Sequence, residues 1–310
     1  MQNALNTHDA GSRVHEMHDR IAMETYFAPA KLNLFLHVTG RRDDGYHLLE
    51  SVFQLLDFGD TVHLALRADG VIRRVNTVSG VPEEIDLAVR AANLLKAATG
   101  SAFGVNIAIN KRIPLGGGLG GGSSDAAAVL LALNRLWHLG LTRERLMQIG
   151  LKLGADVPFF IFGQNAFATG AGEQLQALDL PRRVYVVLQP QAMVPTAQIF
   201  RSPELTRNAK SVKIADFSAN AWVFAKPQFR NDLEAVAKEQ FPAVEQALKW
   251  LARHDANAVI KARMTGSGAC VFAGFDAPDA AEFVFRQRPA GIGGFVAQGL
   301  NRHPLADFAV

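Results

Sequence analysis

Six glycines fall within seven consecutive positions, Gly116 to Gly122, directly between a strand pattern and a helix pattern. Before them, Phe103, Val105, Ile107 and Ile109 alternate with Gly104, Asn106, Ala108 and Asn110, the period of a half-buried strand. After them, Ala126, Val129, Leu130, Leu133, Leu136 and Trp137 recur at helical spacing. Each glycine costs on the order of 0.5–1 kcal/mol relative to alanine in ordered structure. Six therefore cost roughly 3–6 kcal/mol, against a usual net stability of about 5–15 kcal/mol. A flexible linker does not sit between an alternating strand and an amphipathic helix. The composition fits an anion cradle instead. Bare backbone approaches a ligand closely, and successive N–H groups converge on phosphate oxygens. Ser123 and Ser124 are then placed to cap the helix, whose positive end faces the same phosphates.

Several phosphate-binding classes drop out. A Walker A loop needs Gly-Lys, and that dipeptide is absent from the chain. The G-x-G-x-x-G match at Gly116, Gly118 and Gly121 is nearly automatic in so glycine-rich a run. His254-Asp255 and Asp57-Phe58-Gly59 lack the surrounding protein-kinase signature. With 310 residues, the chain exceeds the size at which single cores stop growing, so two domains are expected. No apolar run reaches membrane-spanning length. Lys and Arg number 32 against 29 acidic residues, and the arginines come only in isolated pairs, so neither nucleic acid nor membrane is expected as partner. Cys270 is the single cysteine, which excludes an intrachain disulfide and fits a reducing, cytoplasmic setting. Residues 1–22 read as a disordered leader, and His8, His15 and His18 within it do not make a metal site.

Further along, Tyr26–Val38, Leu48–Leu56 and Asp60–Leu66 read as strands, and Asp86–Ala98 and Thr142–Leu153 as helices. Past Pro181, VYVVLQP opens a strand, and Asp232–Leu251 reads as one helix capped by Asn231 or Asp232. Two short strands flank TGSGA, Pro278–Arg286 is helical, and Gly294–Gly299 is a last strand. Strand, helix, two strands, helix, strand is the order of a split βαβ sandwich. An α+β chain results, with domains expected at 23–175 and 176–310.

PLGGGLGGGSSDAAAVLLALN resembles the ATP loop and helix of the GHMP kinases. PAKLNLFLHV, from Pro29, resembles that family's first motif, and TGSGACVFAGF, from Thr265, its third. Within the family, PAKLNLFLHVTGRRDDGYHLLESVFQLLDFGD, LGADVPFF and PTAQIF are similar to the branch that phosphorylates a CDP-linked methylerythritol in the non-mevalonate isoprenoid route. The resemblance runs in family order over about residues 25 to 300. It implies an N-terminal domain like the second domain of ribosomal protein S5 and a ferredoxin-like C-terminal domain. It also implies ATP with Mg2+, a small-molecule CDP-linked substrate phosphorylated on a tertiary hydroxyl, and a monomer or weak homodimer. Lys111 and the run Pro114, Leu115, Gly116, Gly117, Gly118, Leu119, Gly120, Gly121, Gly122, Ser123 and Ser124 then hold the nucleotide.

Lys31 lies in an apolar strand, where a lysine is costly to bury unless paired. Asp156, between Gly154 and Val-Pro-Phe-Phe, also calls for a partner. The residues alone leave catalysis, a structural ion pair and helix capping open. The resemblance pairs the two, with Asp156 accepting the hydroxyl proton and Lys31 supporting it and the developing negative charge. Asn33, two residues from Lys31, shares its strand face and is a candidate substrate-binding residue, as a donor to the hydroxyl or a phosphate. By resemblance Tyr46 stacks on the cytosine, His47 reads its edge, Phe200 covers its other side and Thr196 touches the substrate diphosphate. Magnesium accompanies ATP because phosphoryl transfer needs charge neutralisation. Ser124 is a candidate ligand, and no protein metal site is assigned. Asp86 stands where the family commonly has Asn, and serves as a helix cap.

Overall fold

A computed structural model describes residues 23–214, 224 and 226–309, so the expected leader lies outside the described residues. The first half is built on one long antiparallel pair, β1 (Glu24–Arg41) and β2 (His47–Arg67). The sequence suggests a break in β2 at Asp57-Phe58-Gly59, but the strand runs through. Gly59 pairs with Pro29, where a Cβ would sit 2.3 Å from the Ala28 carbonyl oxygen. This glycine marks a close backbone approach, not a turn.

On this pair are laid β3 (Ile72–Arg74), α1 (Leu87–Thr99), β4 (Gly104–Asn110), α2 (Gly121–Leu136), α3 (Arg143–Leu151), α4 (Val157–Phe162), β5 (Ala166–Thr169) and β6 (Gln174–Ala177). Asp86 caps α1 by accepting the Ala88 N–H at 2.9 Å. The expected caps of α2 are corrected. Its N-cap is Gly120, at φ 74°, with no side-chain bond, and Ser123 and Ser124 lie inside the first turn. Ser124 Oγ instead donates to the Pro29 carbonyl at 2.7 Å, tying α2 to β1. Every residue of α2 from Ser124 to Asn134 is buried, so this helix is the axis of the first core rather than a surface helix.

The second half carries β7 (Val184–Gln189), α5 (Thr196–Arg201), α6 (Glu234–Gln240), α7 (Pro242–Ala252), β8 (Ile260–Met264), β9 (Val271–Phe275), α8 (Pro278–Arg286) and β10 (Gly293–Leu300). The single helix expected over 232–251 is two. Pro242 bars its predecessor from helical geometry, and Phe241 takes φ −130°, ψ 89°. Strand order β10-β7-β9-β8, antiparallel throughout, is the ferredoxin-like arrangement. β10 also joins the halves: Gly293–Gln298 pair with β7, while Gly299 and Leu300 pair with Leu56 and Leu55 of β2.

Residues 302–309 return to the first core, where Arg143 donates to the carbonyls of Ile161, Ala306 and Ala309. His303 is buried there, accepting the Leu305 N–H on Nδ1 at 3.0 Å. Burial, helped by Arg143, pushes its pKa down to about 4. Below the ordinary pKa of about 6.5, the unfolded chain takes a proton that the folded one refuses. Stability is therefore expected to fall by on the order of 3 kcal/mol as pH drops from about 6.5 to 4. Thermal melts across that range, compared with a His303→Gln variant, check it. Equal pH slopes in the two proteins would remove His303 as the cause.

Candidate active site

Two bulges frame Lys31–Asn33 in the middle of β1. The β1–β2 register slips between Pro29 and Lys31 and again between Asn33 and Leu36, so the three residues between are re-aimed as a unit. Lys31 is 3% exposed; its Nζ donates to Asn33 Oδ1 at 2.5 Å and lies 3.4 Å from Asp156 Oδ2. Asn33 Nδ2 donates to Ser51 Oγ at 2.8 Å, and Ser51 Oγ to the Phe35 carbonyl at 2.6 Å, which fixes the amide's orientation. Asp156 precedes α4, yet its side chain makes no capping bond. Its carboxylate is one-third exposed toward a cleft of about 950 Å³.

The glycine loop forms one wall of that cleft through Gly116, Gly118, Gly120 and Ser123. Gly116, Gly118 and Gly120 have φ between 67° and 75°, backbone that favours glycine. At Gly118 a Cβ would lie 2.2 Å from the Thr265 carbonyl oxygen. Part of the loop's glycine content is thus demanded by contact with the TGSG turn. Helix α2 makes its first bond from the Ser124 N–H to the Gly120 carbonyl at 2.9 Å. The N–H groups of Gly121, Gly122 and Ser123 precede that ladder, as an anion-binding helix start requires, so the loop fits a nucleotide phosphate. Gly117, Leu119 and Ser124 are buried. Ser124 Oγ donates its proton to the Pro29 carbonyl, so only its oxygen lone pairs are left for another partner. Among the described residues no cluster of three His, Cys, Asp or Glu is placed to hold a metal.

Lys111, Pro114 and Leu115 line a second cavity of about 760 Å³ beside the same loop, with Asn76 and Ser79. Lys111 is held by two buried carboxylates, Asp60 and Asp125, the latter at 2.7 Å. Burial works against its ammonium, but Asp125 and Asp60 outweigh it and raise its pKa. Asp86, besides capping α1, accepts a hydrogen bond from Arg74 at 2.5 Å.

Tyr46, His47, Thr196 and Phe200 also line the first cleft. Tyr46 is 65% exposed at the rim. The His47 and Phe200 rings are 4.8 Å apart and tilted by 31°. Thr196 Oγ1 lies 2.7 Å from Ser267 Oγ in the TGSG turn. Burial, then Arg207 and Arg41, lower the His47 pKa, which favours the neutral ring. Sequence reading missed Asp60, Asp125, Arg207 and Ser267. A lysine directly after a half-buried strand calls for an acid partner, and Asp125 in the quoted SSD was available as one. Arg207 carries no local signal.

The sequence pattern of the GHMP kinases N terminal domain matches residues 86–164, and that of the GHMP kinases C terminal matches 218–291. The chain is 56% identical over 291 residues to a 4-diphosphocytidyl-2-C-methyl-D-erythritol kinase of Burkholderia ambifaria (strain MC40-6), covering 93% of this chain and 98% of that protein. It is 56% identical over 285 residues to the protein of the same name from Thiobacillus denitrificans (strain ATCC 25259 / T1), covering 92% and 98%. Among solved structures, a 4-(cytidine 5'-diphospho)-2C-methyl-D-erythritol kinase superposes with TM-score 0.75 at 33% identity, covering 89% of this chain and 99% of that one. Homoserine kinase from Cytophaga hutchinsonii ATCC 33406 shares the fold, with TM-score 0.66 at 18% identity over 91% and 95% of the chains.

Proposed function

This chain belongs to the GHMP kinases, and within them to the 4-diphosphocytidyl-2-C-methyl-D-erythritol kinases; on that premise we propose that it transfers the γ-phosphoryl group of ATP to the 2-hydroxyl of 4-diphosphocytidyl-2-C-methyl-D-erythritol. The observation that carries the chemistry is the Lys31–Asp156 pair, 3.4 Å apart, in a cleft lined by both the glycine loop and the His47–Phe200 rings. Bound ATP with its magnesium supplies the phosphoryl group and neutralises its charge. The free N–H groups of Gly121, Gly122 and Ser123 hold phosphate oxygens. Asp156 accepts the proton of the attacking hydroxyl as the new P–O bond forms and the bond to ADP breaks. Lys31, fixed by Asn33, supports Asp156 and the negative charge gathering between them. Tyr46 and Phe200 stack on the cytosine, His47 reads its edge, and Thr196 contacts the diphosphate.

The same reading divides the chain at 23–175 and 176–310, sets it in the cytoplasm, and takes it as a monomer or weak homodimer. No helix among the described residues is long and apolar enough to cross a membrane.

ATP with the CDP-linked methylerythritol is expected to give ADP and the phosphorylated product in equal amounts, measured by coupled ADP assay and phosphorus NMR. Turnover confined to homoserine or mevalonate would transfer the chain to another branch of the fold. ATP binding with no turnover on any of them would leave a nucleotide sensor.

A further inference from the structure

Among the described residues that line the cleft, His47 is the one nitrogen heterocycle, and what it can read depends on which ring nitrogen carries the proton. Arg207 decides that. Its Nε–H points at His47 Nε2 at 3.1 Å. A guanidinium only donates, so the nitrogen it faces must offer a lone pair. With the ring neutral, the proton is then on Nδ1, which has no acceptor among the described residues and belongs to a ring lining the cleft.

Arg207 is itself held rigidly. Nη1 donates to the Leu205 carbonyl at 3.0 Å, and Nη2 to the carbonyls of Phe200 and Ser202 at 3.0 and 2.8 Å. Two of those carbonyls lie at the end of α5, the helix that carries Phe200 and Thr196. One side chain thus anchors the end of α5 and orients the ring that packs against Phe200.

We propose that Arg207 is a positioning residue that locks His47 in the Nδ1–H tautomer, making the base reader a hydrogen-bond donor and so selecting a pyrimidine whose N3 is an acceptor. This rests on the reading of the substrate as CDP-linked. Cytosine has a bare N3, whereas uracil carries a proton there and would set donor against donor. A fixed donor facing a donor leaves both unsatisfied, a difference of about 10-fold or more in affinity.

Nitrogen-15 NMR of the histidine ring, assigned with a His47→Gln variant, reads the tautomer directly. Nδ1 of His47 is expected to be protonated and Nε2 bare in the wild type. In Arg207→Ala the proton is expected to move predominantly to Nε2, KM for the CDP-linked substrate to rise about 10-fold, and the preference for CDP- over UDP-linked substrate to shrink about 10-fold, with KM for ATP unchanged. Arg207→Lys, still a donor, is expected to keep the tautomer and most of the preference. A purely structural arginine would lower kcat and stability without moving the base preference. A wild-type ring protonated on Nε2 overturns the proposal even if no variant folds, as does an Arg207→Ala enzyme with an unchanged CDP-to-UDP ratio. Wild-type inactivity on the CDP-linked substrate sinks the reading of function instead, while the nitrogen spectrum still decides on the lock.

Discussion

Asp156→Asn is expected to lower kcat by about 10²–10⁴-fold, the usual contribution of a positioned general base. The substitution keeps shape and removes the proton acceptor. Its effect on folding is expected to be small. Asp156 is partly exposed, and Lys31 keeps its 2.5 Å bond to Asn33 Oδ1 when the carboxylate is gone. A partly exposed ion pair is worth about 1 kcal/mol or less, so Tm should barely move. ATP affinity, measured by calorimetry, should also hold, because the N–H groups at the start of α2 are untouched. Phosphoryl transfer depends heavily on positioning and electrostatics. A rate within a few-fold of wild type would mean that these suffice and would take Asp156 out of the chemistry. A large loss of ATP affinity would show that the carboxylate organises the nucleotide site instead.

Lys111→Met is expected to cost about 3–5 kcal/mol of stability, the usual penalty for stranding a buried partner. Here two carboxylates are stranded, since Asp60 and Asp125 are both buried and share the one ammonium. Asp60 also accepts the Arg112 and Ile113 N–H groups, at 2.5 and 2.7 Å, so it fixes the chain entering the glycine loop. Even beside Lys111, burial pushes the Asp125 carboxyl above its ordinary range. Without the lysine, at least one acid is expected to be protonated in the folded state. Its folded pKa then lies above the unfolded value of about 4, so the variant loses stability as pH rises through the folded pKa and recovers as pH falls. Melts at pH 5 and pH 8 should show the larger deficit at pH 8, with Tm lowered by on the order of 10 °C. A pH-independent deficit would mean that lost packing of the lysine stem dominates.

The sequence made the loop, both halves and the Lys31–Asn33 face legible because each is a local pattern. Glycine density, alternation and a buried lysine all show within a few residues. It misjudged Ser123 and Ser124 because a hydroxyl near a helix start has two uses, and the Pro29 carbonyl, 95 residues away, took Ser124. The same holds at Gly59, a turn residue by type but a contact point by tertiary register. The break at Pro242 was legible from backbone sterics alone, and an uninterrupted helical period hid it. Arg207 was out of reach, since its partner is 160 residues distant and the surrounding TRNAK has no pattern.

The contact between the glycine loop and the TGSG turn bears on how the site meets its ligands. Lys31 N–H donates to the Leu119 carbonyl at 3.0 Å, and Thr265 Oγ1 accepts the Asn33 N–H at 3.0 Å. Next to Thr265, Gly118 has no room for a methyl group, and Ser267 of the same turn reaches Thr196. The glycine loop, the Lys31–Asn33 stretch and Thr196 are therefore tied through the TGSG turn into one interlocked body. Their ordering entropy is spent during folding, at about 1–2 kcal/mol per fixed residue, and is not charged again at each encounter. Binding energy from the nucleotide and the cytosine is then left for aligning the hydroxyl with the phosphorus, the part of the problem that a rigid scaffold cannot settle in advance.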